Sequence, residues 1–474
     1  MTAAADAGTL AITMPTPNTS HPDKVDLRVW VIAAACSCGP MMSGLDATMV
    51  NVSIDHLGRV FDAPLGTIQW VASAYLLSLA LALPLTGWLV DRVGARRIFL
   101  ACFAVFMAGS ALSGAATSLP MLIASRVLQG IAGGLLAPMM QMMMARHAGR
   151  HMARVIGVAA MPVMIGQMLG PSLGGLILTH LSWRWIFWVN IPVGLLAIGF
   201  AWAVLPRDEA VQPRRLDLMG LALISPGLAL LLESLVGLAH GDRGALIRLA
   251  VAILLLAAFV LHANRKRAAA LIDLRLFTGK IFRAAAATQF LSNAINFGGQ
   301  FLIPLYLLRV RAFSPATTGL LLAPMALGMF FSLPVMGRLS ERFGARAISG
   351  TGAFLALLGT LPFALFGADI PIVALCVALF VRGFGMGSIT IPSAAAAYAT
   401  VPRESLSSAT TGINICQRMG GPVGTSSLAL FLQYALTGPG PEPSAFTATF
   451  WVLAGFAFLG LCAAARLPGR VRHA

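Results

Sequence analysis

The strongest constraint on this chain is a repeating unit: an apolar run long enough to cross a bilayer, followed by a short connection, often rich in arginine. A helix rises ~1.5 Å per residue, so about 20 mostly apolar residues cross the hydrocarbon core. Such runs fall at 29–51, 66–90, 98–118, 121–144, 153–178, 184–205, 217–239 and 245–263, then at 281–307, 315–337, 347–368, 370–398, 405–433 and 447–466. The weakest, 245–263, carries Arg248 near its start. Of the 474 residues 58% are apolar and only 11% charged, where a soluble domain carries about 25% charge. So few charges cannot cover a water-exposed surface, whereas a lipid-facing surface needs none. The predicted fold class is an all-α polytopic membrane protein.

Fourteen runs place both termini on one side, and the basic residues say which. Arg92, Arg96, Arg97, Arg146, Arg150, Arg154, Arg265, Lys266, Arg267, Arg275, Lys280, Arg283, Arg338, Arg342, Arg346, Arg466, Arg470 and Arg472 share one face. The other face has Arg59, Arg184, Arg243, Arg248, Arg309 and Arg311. The positive-inside rule then puts both termini in the cytoplasm. The net charge of +16 is thereby read as membrane orientation, and no nucleic-acid partner is expected. Residues 1–28 hold Pro15, Pro17 and Pro22 but no basic stretch leading into an apolar one, which predicts a disordered cytoplasmic tail rather than a signal peptide. Residues 467–474 read as a basic cytoplasmic tail. Cys36 and Cys38 have no following partner pair, and Cys102, Cys376, Cys416 and Cys462 also sit in apolar stretches, so no metal is expected. There is no Gly-Lys-Ser/Thr loop and no triad-like set, which disfavours an enzyme.

One connecting loop occurs twice. Gly87-Trp88-Leu89-Val90-Asp91-Arg92-Val93-Gly94-Ala95-Arg96 returns 250 residues later as Gly337-Arg338-Leu339-Ser340-Glu341-Arg342-Phe343-Gly344-Ala345-Arg346. The offset spans eight runs. If two central runs are an insertion, it becomes six, which gives two six-helix halves (29–205 and 265–466) with a linker and two accessory helices at 206–264. Parallel halves about a membrane-normal axis are an established transporter plan. Gly94 and Gly344 permit a tight turn. Asp91 and Glu341 can pair with loop arginines or face a helix N-terminus. The set Gly87, Asp91, Arg92, Gly94, Arg96, Gly337, Glu341, Arg342 and Gly344 reads either as an orientation loop or as a cytoplasmic gate that stabilises one state.

Charges inside the runs are few: Asp46, Arg126, Glu233, Arg382 and Arg418. Each is costly in lipid unless paired, wetted or snorkelling, so these are the primary site candidates. Asp46 lies in the outward half of the first run. A carboxylate there can cycle between protonated and ionised forms, or make a static contact. Arg126 is placed at similar depth, either to meet Asp46 or to snorkel to the interface. Gln129, one turn on, extends the polar network, and Asn51 follows Asp46 in the first run. Glu233 is a candidate for contact with substrate, proton or another helix. Arg382 and Arg418 are as readily structural as functional. Gly166, Gly170, Pro171 and Gly174 mark a closely packed and bent fifth run.

Together these features resemble the major facilitator superfamily, and more closely its fourteen-helix drug/proton antiporter branch, over residues 29–466. Gly87 to Arg97 looks like the superfamily loop between helices two and three. Leu45 to Asn51 looks like the antiporters' helix-one motif, which implies proton coupling at Asp46. Arg126 to Gly130, with Gly133 and Gly134, resembles the helix-four motif and implies a part in proton transfer for Arg126. Gly157 to Gly175 resembles the helix-five motif, and Trp183 to Pro192 a segment common in drug exporters. The resemblance implies alternating-access export of lipophilic or cationic drugs, dyes or related toxic compounds, driven by the proton gradient without a cofactor. A specific metabolite, lipid or siderophore is the alternative cargo. It implies a monomer in the bacterial inner membrane whose partners are lipids, protons and a small-molecule substrate. A periplasmic adaptor is conceivable, but no residue supports one. The second half has no intramembrane carboxylate comparable with Asp46, which leaves the number of coupled protons open. A channel is disfavoured, since no filter-like element repeats, and a receptor would bind ligand without moving it.

Overall fold

The computed structural model describes residues 25–208, 216–239, 242, 244–267, 270–438 and 441–469. Most of the expected N-terminal tail, Arg243, Arg470 and Arg472 lie outside them. The described chain is helical: α1 (Leu27–Val60), α2 (Leu65–Ile68), α3 (Trp70–Ala82), α4 (Leu85–Val93), α5 (Ala95–Gly114), α6 (Leu119–His147), α7 (Met152–His180), α8 (Trp185–Trp188) and α9 (Asn190–Val204). There follow α10 (Leu218–Ala239), α11 (Ala245–Lys266), α12 (Lys280–Arg309), α13 (Pro315–Phe343), α14 (Ala345–Leu358), α15 (Leu361–Leu365), α16 (Ile372–Ala399), α17 (Leu406–Leu436) and α18 (Glu442–Ala464). The first helix starts inside the expected tail, because Asp26 caps it by accepting the Arg28 N–H at 3.0 Å.

Eleven helical segments among the described residues are long and apolar enough to span a membrane, and a bent one makes twelve. The bent span is Gly66–Ala82 with Leu85–Val93, turned by 58° at Leu83 and Pro84. The other two expected runs, 281–307 and 405–433, form α12 and α17. These are 30 and 31 residues long, but too polar to pass on apolarity. Gln289, Asn293, Asn296 and Gln300 interrupt the first, and Asn414, Gln417 and Arg418 the second. Both are packed inside the second half, against each other and against α18.

The helix pairings of the first half recur in the second. Helix α1 packs on α7, α3 and α5 pack on α6, and α9 packs on α1 and α5. Likewise α12 packs on α17, α13 and α14 on α16, and α18 on α12 and α14. The repeated loop is thus the visible part of a repeated bundle. Helices α10 and α11 pack on each other, and α10 leans on α17 and α3.

Glycine sets how closely these helices meet. A Cβ on Gly420 would stand 2.0 Å from the Phe290 carbonyl oxygen, and one on Gly424 2.4 Å from that of Ala294. In α7, Gly166, Gly170 and Gly174 face Met41, Leu45 and Met49 of α1, so the two backbones run side by side past Asp46. Pro171 lies within α7 without ending it.

The accessory pair is tied to the connector by one carboxylate. The expected run 217–239 becomes a helix only from Leu218, which leaves Asp217 in the loop before it. Its side chain meets His262 Nε2 at 2.8 Å and Lys266 Nζ at 2.9 Å, and accepts the N–H groups of Gly220 and Leu271. Burial opposes its charge, but these hydrogen bonds outweigh that and pull the carboxyl down to about 2.

Gly420→Ala is expected to cost about 1–3 kcal/mol, as overpacking does, while Gly455→Ala, which meets open space, should stay within about 0.5 kcal/mol. Thermal melts of the detergent-solubilised protein compare them, and equal melting temperatures would contradict the packing argument. A second expectation concerns acid. With its folded value below the usual 3.8, Asp217 stabilises the fold above that range, and the gain is lost as pH falls through about 2. Asp217→Asn should lower the melting temperature at neutral pH and flatten the acid limb. An unchanged acid limb would count against the tie.

Candidate functional site

Asp46 is fully buried in α1, and Arg126 of α6 is 1% exposed. Their contact is 2.5 Å, from Arg126 Nη1 to Asp46 Oδ2. The other carboxylate oxygen accepts from Asn190 Nδ2 at 2.7 Å and, more weakly, from Gln129 Nε2 at 3.4 Å. Arg126 also donates from Nη1 to Gln129 Oε1 at 2.9 Å and from Nε to the Val71 carbonyl at 3.1 Å. Its guanidinium carbon lies 4.2 Å from the Tyr75 ring centroid. Gln129 is fixed in turn by Ser110 at 2.7 Å and Ser113 at 3.1 Å. The Tyr75 hydroxyl shares a 2.6 Å hydrogen bond with Ser43.

Five helices therefore converge on one carboxylate. Glycine makes room for them: a Cβ on Gly109 would meet Gln129 Cγ at 2.6 Å, and one on Gly130 would meet the Tyr75 carbonyl at 2.4 Å. An ionised carboxylate only accepts hydrogen bonds, whereas a protonated one also donates. A proton arriving on Asp46 must therefore rearrange this set. Asn190 Oδ1 is buried without a hydrogen-bond partner, so an acceptor stands beside the carboxylate.

The expected meeting of Asp46, Arg126 and Gln129 is thus what the structure shows. Asn51 is exposed and lies outside the network. Glu233 is 52% exposed and 3.8 Å from Arg248 of α11, which also contacts Asp242, so it lies apart from Asp46. Asn190 went unnominated in the sequence. Its signal was a carboxamide between Val189 and Ile191, opening an otherwise apolar helix.

Arg382 of α16 occupies the place in the second half that Gln129 has in the first, since Gly359 packs on it as Gly109 packs on Gln129. It is 1% exposed, it donates to the Thr360 hydroxyl and, at 2.6 Å, to the Ile295 carbonyl, and its Nε has no partner. Only glycine leaves space for it at position 299, where a Cβ would stand 2.0 Å from its Nη2. The second half thus buries a cation within a helix but no intramembrane carboxylate. Arg418 of α17, partly exposed, has neither a hydrogen bond nor an ion pair among the described residues. Its neighbour Gln417 lines a cavity of about 110 Å³ with Ser292, Asn293, Asn296, Thr390 and two methionines.

The repeated loops join the halves at the basic end. Gly94 and Gly344 have φ of 105° and 87°, which a side chain would strain. Asp91 of the first copy accepts from the Ser407 hydroxyl of α17 at 2.7 Å, and a Cβ on Gly87 would stand 3.1 Å from the Ser407 carbonyl. In the second copy, Glu341 meets His151 Nδ1 at 3.0 Å, and a Cβ on Gly337 would stand 2.8 Å from the Ala153 carbonyl at the start of α7. Gln141 of α6 accepts from Tyr398 and Asn414 of the second half, both at 3.0 Å. Within each half, Arg96 holds the Trp202 carbonyl at 2.5 Å and Arg346 that of Leu467 at 2.7 Å. Arg92 and Arg342 lie over the rings of Trp88 and Phe343.

The sequence profile of the Major Facilitator Superfamily matches residues 36–425 and again 285–473. The chain is 35% identical over 422 residues to a multidrug resistance protein B homolog of Mycobacterium tuberculosis (strain ATCC 25618 / H37Rv), covering 88% of this chain and 78% of that one. It is 29% identical over 449 residues to the riboflavin transporter RibZ of Clostridioides difficile (strain 630), covering 91% and 96%. The solved proton:xylose symporter XylE superposes with a TM-score of 0.63 over 92% of this chain and 94% of its own, at 15% identity, which is a likeness of fold.

The carboxylate network makes a graded stability prediction. Arg126→Leu leaves a buried carboxylate uncompensated and should cost about 3–5 kcal/mol. Asn190→Leu removes one donor and should cost about 1–3 kcal/mol. Melting temperatures in detergent should fall in that order, and a larger loss for Asn190→Leu would refute the ranking.

Proposed function

The chain belongs to the major facilitator superfamily, and we propose that it is a proton-coupled antiporter that exports lipophilic drugs, dyes or related toxic compounds by alternating access. The observation that carries this reading is the buried contact of Asp46 with Arg126, closed by Asn190 and Gln129. It supplies a group whose protonation changes its bonding, held on helices that a rocking half would move. The name of the mycobacterial relative supports the drug class, and the fourteen apolar runs support a place in the fourteen-helix drug/proton branch. The name of the clostridial one supports the second reading, a specific metabolite.

In this proposal Asp46 takes the proton, and Arg126 is its electrostatic partner. The paired loops are a gate, drawn shut at the basic end. The distribution of arginine supports a cytoplasmic setting for that end and for both termini, in a bacterial inner-membrane protein. The protein works as a monomer on the proton gradient alone. A cationic cargo would need a free carboxylate. Asp46 is held by Arg126, and Glu233 lies beside Arg248, so the cargo's charge is decided elsewhere in the cavity.

Proteoliposomes with an imposed pH gradient test the reading. Asp46→Asn should abolish gradient-driven flux while insertion is kept. Arg126→Ala should impair coupling, Arg126→Lys less so, since it keeps charge but loses the planar fork, and Glu233→Gln least. Full coupled transport by Asp46→Asn would sink the assignment, and loss confined to Glu233→Gln would move the proton site to α10.

A further inference from the structure

The interior of the two halves is not charge-balanced. Three guanidinium groups, those of Arg126, Arg382 and Arg418, face one carboxylate, Asp46, and that carboxylate is in contact with Arg126. Neither of the other two cations lines the cavity itself, but each is near a lining residue along its own helix. Arg418 adjoins Gln417 in α17, and Arg382 lies one turn before Met386 in α16. Arg382 spends its Nη atoms on Thr360 and the Ile295 carbonyl and keeps a buried, unbonded Nε. Arg418 has no hydrogen bond or ion pair among the described residues. The polar side chains that line the cavity are Ser292, Asn293, Asn296, Thr390 and Gln417, all neutral.

A cation in a low-dielectric interior is costly unless an anion or a set of acceptors meets it. Nothing on the walls of this cavity does so for Arg418. A bound molecule carrying a carboxylate, sulfonate or phenolate would supply the missing charge, with the carboxamides and hydroxyls completing its hydrogen bonds. A lipophilic cation would add a further like charge. We propose that Arg418 anchors the cargo, and that the cargo is an organic anion seated against the second half. This rests on the reading of the chain as a transporter, and it gives the halves different tasks: the proton binds to the first and the cargo to the second.

Two dyes on one xanthene core, anionic fluorescein and cationic rhodamine 6G, separate charge from shape. Fluorescence anisotropy with the purified chain in detergent reads binding without requiring coupling. Fluorescein should bind the unmodified protein more tightly than rhodamine 6G. Arg418→Gln should weaken fluorescein about ten-fold or more, the loss of one charge-assisted hydrogen bond, and leave rhodamine 6G unchanged or tighter. Arg418→Lys should restore much of the fluorescein affinity, a rescue that a merely structural role would not give. If Arg418→Gln fails to fold, Asn296→Asp serves, since a carboxylate in the cavity should weaken fluorescein and favour rhodamine 6G. Tighter binding of rhodamine 6G, no binding of fluorescein, or a fluorescein affinity indifferent to both Arg418→Gln and Asn296→Asp would overturn the proposal. The pH-driven flux of unmodified protein and Asp46→Asn is a separate measurement. An exporter that moves rhodamine 6G but not fluorescein refutes the anion while leaving proton coupling intact.

Discussion

The hydrocarbon core contains no water to solvate a polar group, so every charge within it must be satisfied by the protein or by what the protein binds. Much of the architecture follows from that. Asp46 is tolerable because α6 brings Arg126 and Gln129 to it and α9 brings Asn190. Arg382 is tolerable because Gly299 opens a space and Ile295 offers its carbonyl. Helices α12 and α17, too polar to face lipid, are packed against each other inside the second half.

Satisfying those groups requires backbones to approach closely, and this is the work of glycine. Gly420 and Gly424 let α17 lie on α12, and Gly166, Gly170 and Gly174 let α7 lie on α1. The same pairing pattern appears in both halves, so the scaffold is duplicated. Its chemistry is not duplicated, because the second half has no intramembrane carboxylate like Asp46. A repeat frees one copy from the other's task, and in the proposed mechanism that freedom separates proton binding from cargo binding.

The spans and the repeat were readable because they are local properties, a run length and a motif. The meeting of Asp46 and Arg126 was readable because charges within such runs are rare and these two lie at similar depth. Asn190 escaped notice because a neutral amide in an aromatic segment has no comparable rarity. The partners of Asp91 and Glu341 in the opposite half, Ser407 and His151, depend on how the halves dock, and no spacing within one loop encodes that. The polarity of α12 and α17 was present in the sequence, but run length alone concealed it. Asn51, five residues beyond Asp46 on α1, is exposed and makes no part of the network.

The two loop copies clasp crosswise. The first half's loop closes on α17 and the second half's on α7, at glycines where any side chain would crowd the facing backbone. If the halves tilt as rigid bodies, one clasp cannot release while the other keeps its geometry. In the proposed mechanism such an arrangement favours two positions over an intermediate. A carrier that must never be open to both sides at once gains from this, because a half-released state would short-circuit the gradient on which it runs.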